Sequence, residues 1–193
     1  PELLRIAGLL ENAGRVKAYG RQEREDMEED SLTPLFQGIE PLTPVSNEIY
    51  RCILSEEEIS DDASPGLKHV RRSMAVTTDR IHSQLSGMVN GSLHSYLQDA
   101  LITSRNGRYC IPVKAEYRGQ VPGMIHDQSS TGSTLFIEPA AVVNLNNQMR
   151  ELEIKEQEEI EKVLAALSAQ VADHAEDIAE NQKILTRLDF VFA

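Results

Sequence analysis

The chain has 193 residues, of which 40% are apolar, so it is long enough to bury a core as one domain or two small ones. Aromatic residues are scarce and Trp is absent, which favours a helical, elongated protein over a compact β-sandwich. The net charge of −12 excludes a protein that coats nucleic acid along its whole surface, although it leaves room for a small basic patch.

Other protein classes find no support in the sequence. No run of about 18 apolar residues predicts a transmembrane helix, and no signal peptide is visible. The spacing of Cys52 and Cys110 fits neither a metal site nor a disulfide, and indicates a reducing cytoplasm. Because the chain opens at Pro1 without an initiator Met and closes on the apolar "LDFVFA", we expect it to be a piece of a longer protein.

The first third of the chain predicts helices separated by a charged run. Apolar residues recur at three- and four-residue steps over 3–19 and predict a helix that Gly20 ends. The net acidic run over 21–30 is expected to be a solvated turn or helix end. Prolines punctuate the next stretch, and a short helix is predicted over 45–54.

Two long helices are predicted on either side of residues 99–138. Ser64 is placed to cap a helix that has Pro65 at its first position, and near-heptad apolar spacing carries this helix over 66–98. A second helix is predicted over 139–188, with a shift of seam between Met149 and Ile160. Since a helix of this length does not sit alone, the first is its natural antiparallel partner.

Between these helices the sequence changes to β-forming residues broken by turns. Four short antiparallel strands are expected near 100–104, 108–115, 121–127 and 133–137. Asn106-Gly107 is the clearest hairpin signal, because a type I′ turn needs positive φ at both positions. The predicted fold is therefore mainly α, with a small antiparallel β module inserted at the tip of a coiled-coil-like pair of long helices and a helical core segment.

Catalytic, metal and nucleotide sites are not indicated by this chain. His126 and Asp127 are neighbours whose side chains point to opposite faces of a strand, which does not suit a Ser-His-Asp relay. The histidines lack metal-ligand spacing, and His174 is predicted to be part of an apolar helix stripe. The polar stretch around Gly132 has no Lys after the glycine, so it does not match a phosphate loop.

One basic patch stands out between Ser104 and Val121. Four cations, Arg105, Arg108, Lys114 and Arg118, face one acid, Glu116, in a chain that is otherwise acidic. Positive charge concentrated on a protruding hairpin suits a phosphate backbone. An ordinary mixed surface would also account for it.

A longer pattern resembles a known family. The stretch "RNGRYCIPVKAEYRG" followed by "VPGMIHDQSSTGSTLFIEP" closely resembles the second branch of the MutS family, bacterial MutS-like ATPases that carry a C-terminal Smr nuclease domain. The resemblance is specific over 96–153 and extends along the helices to both ends. It implies a core segment at 1–63, a first lever helix at 64–98, a β clamp at 99–138 and a second lever helix at 139–193 that returns to the core.

The resemblance also implies a function for the patch. The clamp residues expected to contact nucleic-acid backbone are Arg105, Arg108, Lys114, Arg118 and the tip hydroxyls of Ser129, Ser130 and Thr131, which either bind phosphate oxygens or cap turns. ATP and Mg²⁺ are expected only in the parent's ATPase domain, and nuclease activity only in its Smr domain, so this segment is expected to be no enzyme. The parent is expected to be a cytoplasmic homodimer.

Three functional hypotheses remain open. The first is a lever-and-clamp module that grips duplex or branched DNA, in a protein associated with suppression of recombination, and relays ATPase-driven movement. The second is a ribosome-binding module in the splitting of stalled, collided ribosomes. The third is a purely structural element that transmits motion or holds the dimer.

Overall fold

The computed structural model describes residues 1–22 and 31–192 and divides the chain into two compact units. Unit 1 comprises Pro1–Leu67 and Glu159–Ala193, and unit 2 comprises Lys68–Glu158. The predicted charged run lies, from residue 23 to residue 30, outside the described residues. The prediction of a mainly helical chain with a small antiparallel β module is confirmed, whereas the division into lever helices and clamp stays a prediction.

The described residues of unit 1 form helices and one short hairpin. Its elements are α1 (Glu2–Gln22), α2 (Thr33–Gln37), α3 (Thr43–Cys52), β1 (Ile53–Ser55), β2 (Glu58–Ile59), a 3-10 turn (Asp61–Ala63), the start of α4 (Pro65–Val89), the end of α5 (Val143–Asp173), and α6 (Ala175–Phe192). The predicted helix over 45–54 begins and ends two residues earlier, since Ile53 turns to an extended conformation and pairs with Ile59.

Gly20 does not end the first helix as predicted. The helix α1 continues to Gln22, and the glycine faces the ring of Phe36 on α2. A Cβ at position 20 would overlap that ring, so the small residue allows α1 and α2 to pack closely. Phe36 is buried with Ala13, Ile184 and Leu188 in one of the two apolar clusters that the described residues of the unit form.

Asn181 joins α6 to the segment before α3. Its side chain is fully buried, its Nδ2 donates to the carbonyl oxygen of Glu40 at 2.6 Å, and its Oδ1 accepts from the amide of Glu40 at 2.8 Å. The amide side chain therefore satisfies both backbone groups of a residue in an irregular segment, which has no helix or strand partner of its own.

Unit 2 packs one face of a four-stranded sheet on two antiparallel helical segments. The strands are β3 (Thr103–Arg105), β4 (Arg108–Lys114), β5 (Gly123–Gln128) and β6 (Thr134–Pro139), in the order β3-β4-β6-β5 with all pairs antiparallel. The four predicted strands are thus confirmed with shifts of one to three residues at most ends. The core contains Ile81, Leu85, Val89, Ile111, Val113, Ile137, Val142 and Met149.

A predicted hairpin turn and a predicted helix cap are both confirmed. They explain where β4 and α4 begin. Asn106 and Gly107 both have positive φ, 53° and 73°, and they join β3 to β4 with Arg105 paired to Arg108. Ser64 accepts a hydrogen bond from the amide of Leu67 at 3.0 Å, and Pro65 is the first residue of α4.

Both long helices are shorter than predicted. The helix α4 ends at Val89 rather than near residue 98, since the chain turns at 90–93 and Leu97 then forms a bridge with Val113 of β4, where it is buried. The helix predicted over 139–188 is two helices, because α5 ends at Asp173 and α6 begins after His174. His174 is partly exposed, with Nδ1 3.6 Å from Asp177, rather than part of an apolar stripe.

The strand β5 forms one edge of the sheet and carries a β-bulge. Its register against β6 shifts between Ile125 and Asp127, so that His126 is the extra residue. Two apolar side chains on this edge are solvent-exposed, Met124 at 55% and Ile125 at 46%.

We predict that Asn181→Ala destabilises unit 1 by about 1–3 kcal/mol, because two backbone groups of Glu40 would have no partner. Urea unfolding followed by circular dichroism measures the destabilisation. Gln182→Ala is the matched control, since Gln182 is exposed on the next position of α6. Equal midpoints for the two variants would show that the amide pairing contributes nothing.

Candidate nucleic-acid interface

The second face of the sheet in unit 2 carries three of the seven predicted binding residues, Arg105, Arg108 and Lys114. Residues paired across strands share a face, and along a strand every second residue does so. By the observed register, this face presents Thr103, Arg105, Arg108, Cys110, Pro112, Lys114, Met124, Asp127, Thr134, Phe136 and Glu138. The opposite face carries the apolar core residues of β4 and β6.

Glu138 is the centre of a buried polar cluster on this face. Its side chain has no solvent exposure, and its two oxygens accept from Arg108, with Nη2 at 2.5 Å from Oε1 and Nε at 3.2 Å from Oε2. Nε2 of His126 lies 2.5 Å from Oε2, and Nδ2 of Asn146 donates to Oε1 at 2.8 Å. The bidentate guanidinium contact is the geometry that best stabilises a buried carboxylate.

This cluster determines the charge state of Glu138. Burial by itself would raise the pKa of the carboxyl, but the hydrogen bonds from Arg108, His126 and Asn146 outweigh burial and hold the pKa below its usual value. The neighbouring Cys110 is affected in the opposite direction. Burial, together with the negative charge of Glu138, raises the pKa of its thiol to about 11.

The side chain of Asn146, on α5, hydrogen-bonds to the backbone of Tyr109 in β4. Its Oδ1 accepts from the amide of Tyr109 at 3.1 Å, and its Nδ2 also donates to the carbonyl of Tyr109 at 3.2 Å. Tyr109 precedes Ile111, the first residue of β4 that pairs with β6. The side chain of Asn146 therefore takes the place of a strand partner for the backbone of Tyr109. The amide of Asn146 therefore connects α5, β4 and Glu138.

Two of the four predicted cations are occupied inside the protein. Arg108 keeps 18% exposure and is bound to Glu138 and, through Nη1 at 2.8 Å, to Asn147. Arg118 lies in the 3-10 turn Ala115–Gln120, and its Nη1 and Nη2 donate to the carbonyls of Val121 and Gly123, both at 3.1 Å. Arg108 thus connects β4 to β6, and Arg118 connects the 3-10 turn to the start of β5.

The other two predicted cations lie at the surface. Arg105 keeps 35% exposure, pairs with Asp127 at 3.2 Å and lies 3.9 Å above the ring of Phe136. Lys114 is partly exposed, its Nζ is 3.4 Å from the carbonyl of Ser95, and it lies 5.9 Å from the ring of Tyr117. Both side chains belong to the same face of the sheet.

The predicted tip hydroxyls form a turn between β5 and β6. Ser129 accepts at Oγ from the amide of Thr134 at 3.0 Å, and its own amide donates to the carbonyl of Thr134 at 2.9 Å. Thr131 shares a hydrogen bond of 2.8 Å with Ser133, while Ser130 is exposed. Of the two roles left open for these hydroxyls, Ser129 takes that of stabilising the turn.

Charge is distributed unevenly between the units. Unit 2 has ten Lys and Arg against nine Asp and Glu, a net charge of +1, whereas unit 1 has nine against 22, a net charge of −13. Among the described residues no group of three or more His, Cys, Asp or Glu is arranged to hold a metal ion, and none of the helices is long and apolar enough to cross a membrane.

The Glu138 cluster was not found by sequence reasoning. The signal that could have found it was an acid inside the apolar run "LFIEP", where a charged residue needs buried partners. His126 and Asp127, considered for a relay, point to different partners, Glu138 and Arg105.

Similar proteins identify the family of the chain. It is 62% identical over 193 residues to a protein named endonuclease MutS2 from Agathobacter rectalis, and 54% and 51% identical to proteins of the same name from Lachnoclostridium phytofermentans and Lachnospira eligens. Each alignment covers 100% of this chain, but the chain spans only 24%, 25% and 24% of these curated relatives. No family model matches. The resemblance to the Smr-containing MutS branch is confirmed.

We predict that Glu138→Gln destabilises unit 2 by about 3–5 kcal/mol at neutral pH, because Arg108 would have no buried counter-charge. Since the folded-state pKa of Glu138 is lowered, its charge stabilises the fold above the usual pKa of Glu and ceases to do so as the pH falls through the folded-state value. The difference between wild type and variant should therefore shrink in acid.

Denaturant unfolding between pH 7 and pH 3, with hydrogen exchange at the Tyr109 amide as a local probe, measures this difference. Glu116→Gln makes the same chemical change at an exposed position of the same unit and is the control. A difference between the Glu138→Gln variant and wild type that does not change with pH would contradict the role assigned to the carboxylate.

Proposed function

We propose, since this chain belongs to the MutS2 branch of the MutS family, that unit 2 contacts the phosphate backbone of duplex or branched DNA. In this proposal the sheet is the clamp, and α4 and α5 are the lever helices that carry it. The process served would be suppression of recombination, with ATPase-driven movement relayed through the levers.

The observation that carries the proposal is the placement of Arg105 and Lys114 on one face of the sheet. Arg105 is stacked on Phe136, and its Nη1 donates to Oγ1 of Thr103 and to the carbonyl of Ser104, both at 2.8 Å, so these contacts fix the position of its guanidinium on this face. Cations at a surface can bind phosphate oxygens, which are present in DNA of every base sequence. Binding of this kind does not require any element of unit 2 to contact base edges. The proposed contact is thus independent of sequence.

The acidic character of unit 1 supports the same assignment. A net charge of −13 on one unit repels a polyanion, whereas unit 2, at +1, does not. Two partly exposed cations give weak binding on their own. We therefore propose that strong binding requires two copies of unit 2 in a homodimer, because linked weak sites act at a high effective concentration.

In this proposal, the catalytic reactions of the parent protein take place in other domains. The chain has no G-x-x-x-x-G-K-[ST] motif, so ATP and Mg²⁺ would be bound by the ATPase domain of the parent, and the nuclease reaction would belong to its Smr domain. The relatives are named endonucleases as whole proteins, of which this chain spans 24% and 25%. This segment would bind and position nucleic acid without cutting it.

We predict that Arg105→Ala with Lys114→Ala weakens binding of a labelled four-way DNA junction by the full-length protein. The slope of log affinity against log salt should fall by about 0.9 for each phosphate that the variant no longer neutralises. Fluorescence anisotropy over a salt series measures both the affinity and the slope. Arg108 and Arg118 are left unchanged, because their substitution would disturb the sheet.

Lys155→Ala is the control, since Lys155 is an exposed cation of unit 2 outside the sheet. Ribosome sedimentation is measured in parallel, because rRNA presents the same phosphates. Loss of ribosome binding with unchanged junction binding would favour the ribosome-splitting function. If neither changes, the sheet has a purely structural role.

A further inference from the structure

We infer that the exposed face of α4 within unit 2 is a second phosphate-binding surface, which holds one strand of duplex DNA beside the sheet. This inference rests on the proposed function in one respect, namely that the protein binds DNA. It concerns Arg72 and Arg80, which lie outside the predicted basic patch.

The cations of α4 divide into those that have partners within the chain and those that face solvent alone. Arg71 is mostly buried, and its Nε donates to Glu156 of α5 at 2.7 Å. Lys68 is exposed and also has an interaction partner. Arg72 and Arg80 are exposed, and neither makes an ion pair or a side-chain hydrogen bond within the described part of the chain.

The surroundings of Arg72 and Arg80 leave an excess of positive charge on their helix. Asp79 is the only acid in α4, against Lys68, Arg71, Arg72 and Arg80. The part of α5 in the same unit has the opposite balance, with Glu151, Glu153, Glu156 and Glu158 against Arg150 and Lys155. The two helical segments therefore differ in sign, and α4 is the one that attracts a polyanion.

Helical geometry places the two exposed arginines at a useful spacing. Arg72 and Arg80 are eight residues apart, which is about 12 Å along the axis and roughly 80° around it. Phosphates of one DNA strand follow one another at about 3.4 Å along the duplex axis. With α4 aligned along the duplex axis, the two guanidinium groups can thus reach phosphates that are about three to four steps apart on one strand.

Several side chains on or next to this face are small, although His69, Val76 and Gln84 are also exposed there. Ala75, Ser83 and Gly87 lie exposed near the arginines, so that a sugar-phosphate chain can approach closely. Along this described part of α4, Val76 is the only large apolar residue that is exposed. An acidic peptide would need apolar anchor pockets for affinity, and a single valine provides none.

The test uses the full-length protein and a labelled DNA duplex in a salt series. Arg72→Ala with Arg80→Ala should weaken binding at least tenfold near 50 mM salt and lower the salt slope by about two, at 0.9 for each phosphate. Asp79→Asn should strengthen binding, and it removes no cation. Arg72→Lys with Arg80→Lys should keep the slope, because charge is retained.

Lys155→Ala serves again as the control, and thermal unfolding verifies that each variant is folded. If the α4 variants bind as wild type does while the Arg105 and Lys114 variant binds weakly, the α4 surface is overturned and the proposed function stands. If the wild-type protein binds no DNA, the proposed function fails and the inference with it. If binding weakens only for the α4 variants, α4 rather than the sheet is the contact.

Discussion

A carboxylate without solvent exposure constrains the rest of unit 2. Glu138 lies at the end of β6, and its oxygens are satisfied by side chains from β4, from the bulge of β5 and from α5. An unpaired charge at this depth would be too costly, so the three elements are held in one arrangement. Arg108 is thereby committed to the interior although it comes from the most basic stretch of the sequence.

The residues that sequence analysis placed correctly are those whose partners are close in the chain. The Asn106-Gly107 turn and the Ser64 cap depend on groups within three residues, and both are found. The contact between Arg108 and Glu138 joins residues 30 positions apart, so no local sequence pattern could predict it. The break at His174 has no Gly or Pro to mark it, which is why the apolar periodicity continued across it.

The candidate site shows the same limit. Counting cations along the sequence placed Arg105, Arg108, Lys114 and Arg118 together, but pairing decides which of them face solvent. Two serve internal contacts, and the uncompensated charge of Arg72 and Arg80 lies on a helix whose sequence pattern is that of an ordinary half-buried segment. Charge that is free to bind a ligand is a property of the packed structure, whereas composition reports only total charge.

The bulge at His126 has a consequence for the behaviour of the protein at high concentration. An edge strand with exposed Met124 and Ile125 is a template for pairing with another chain, which leads to aggregation. The bulge interrupts the regular row of backbone donors and acceptors and increases the local twist of the strand. The next residue, Asp127, is charged, which also opposes pairing with another strand. The residue that completes the Glu138 cluster thus also protects solubility, and a deletion that straightened β5 would remove both at once.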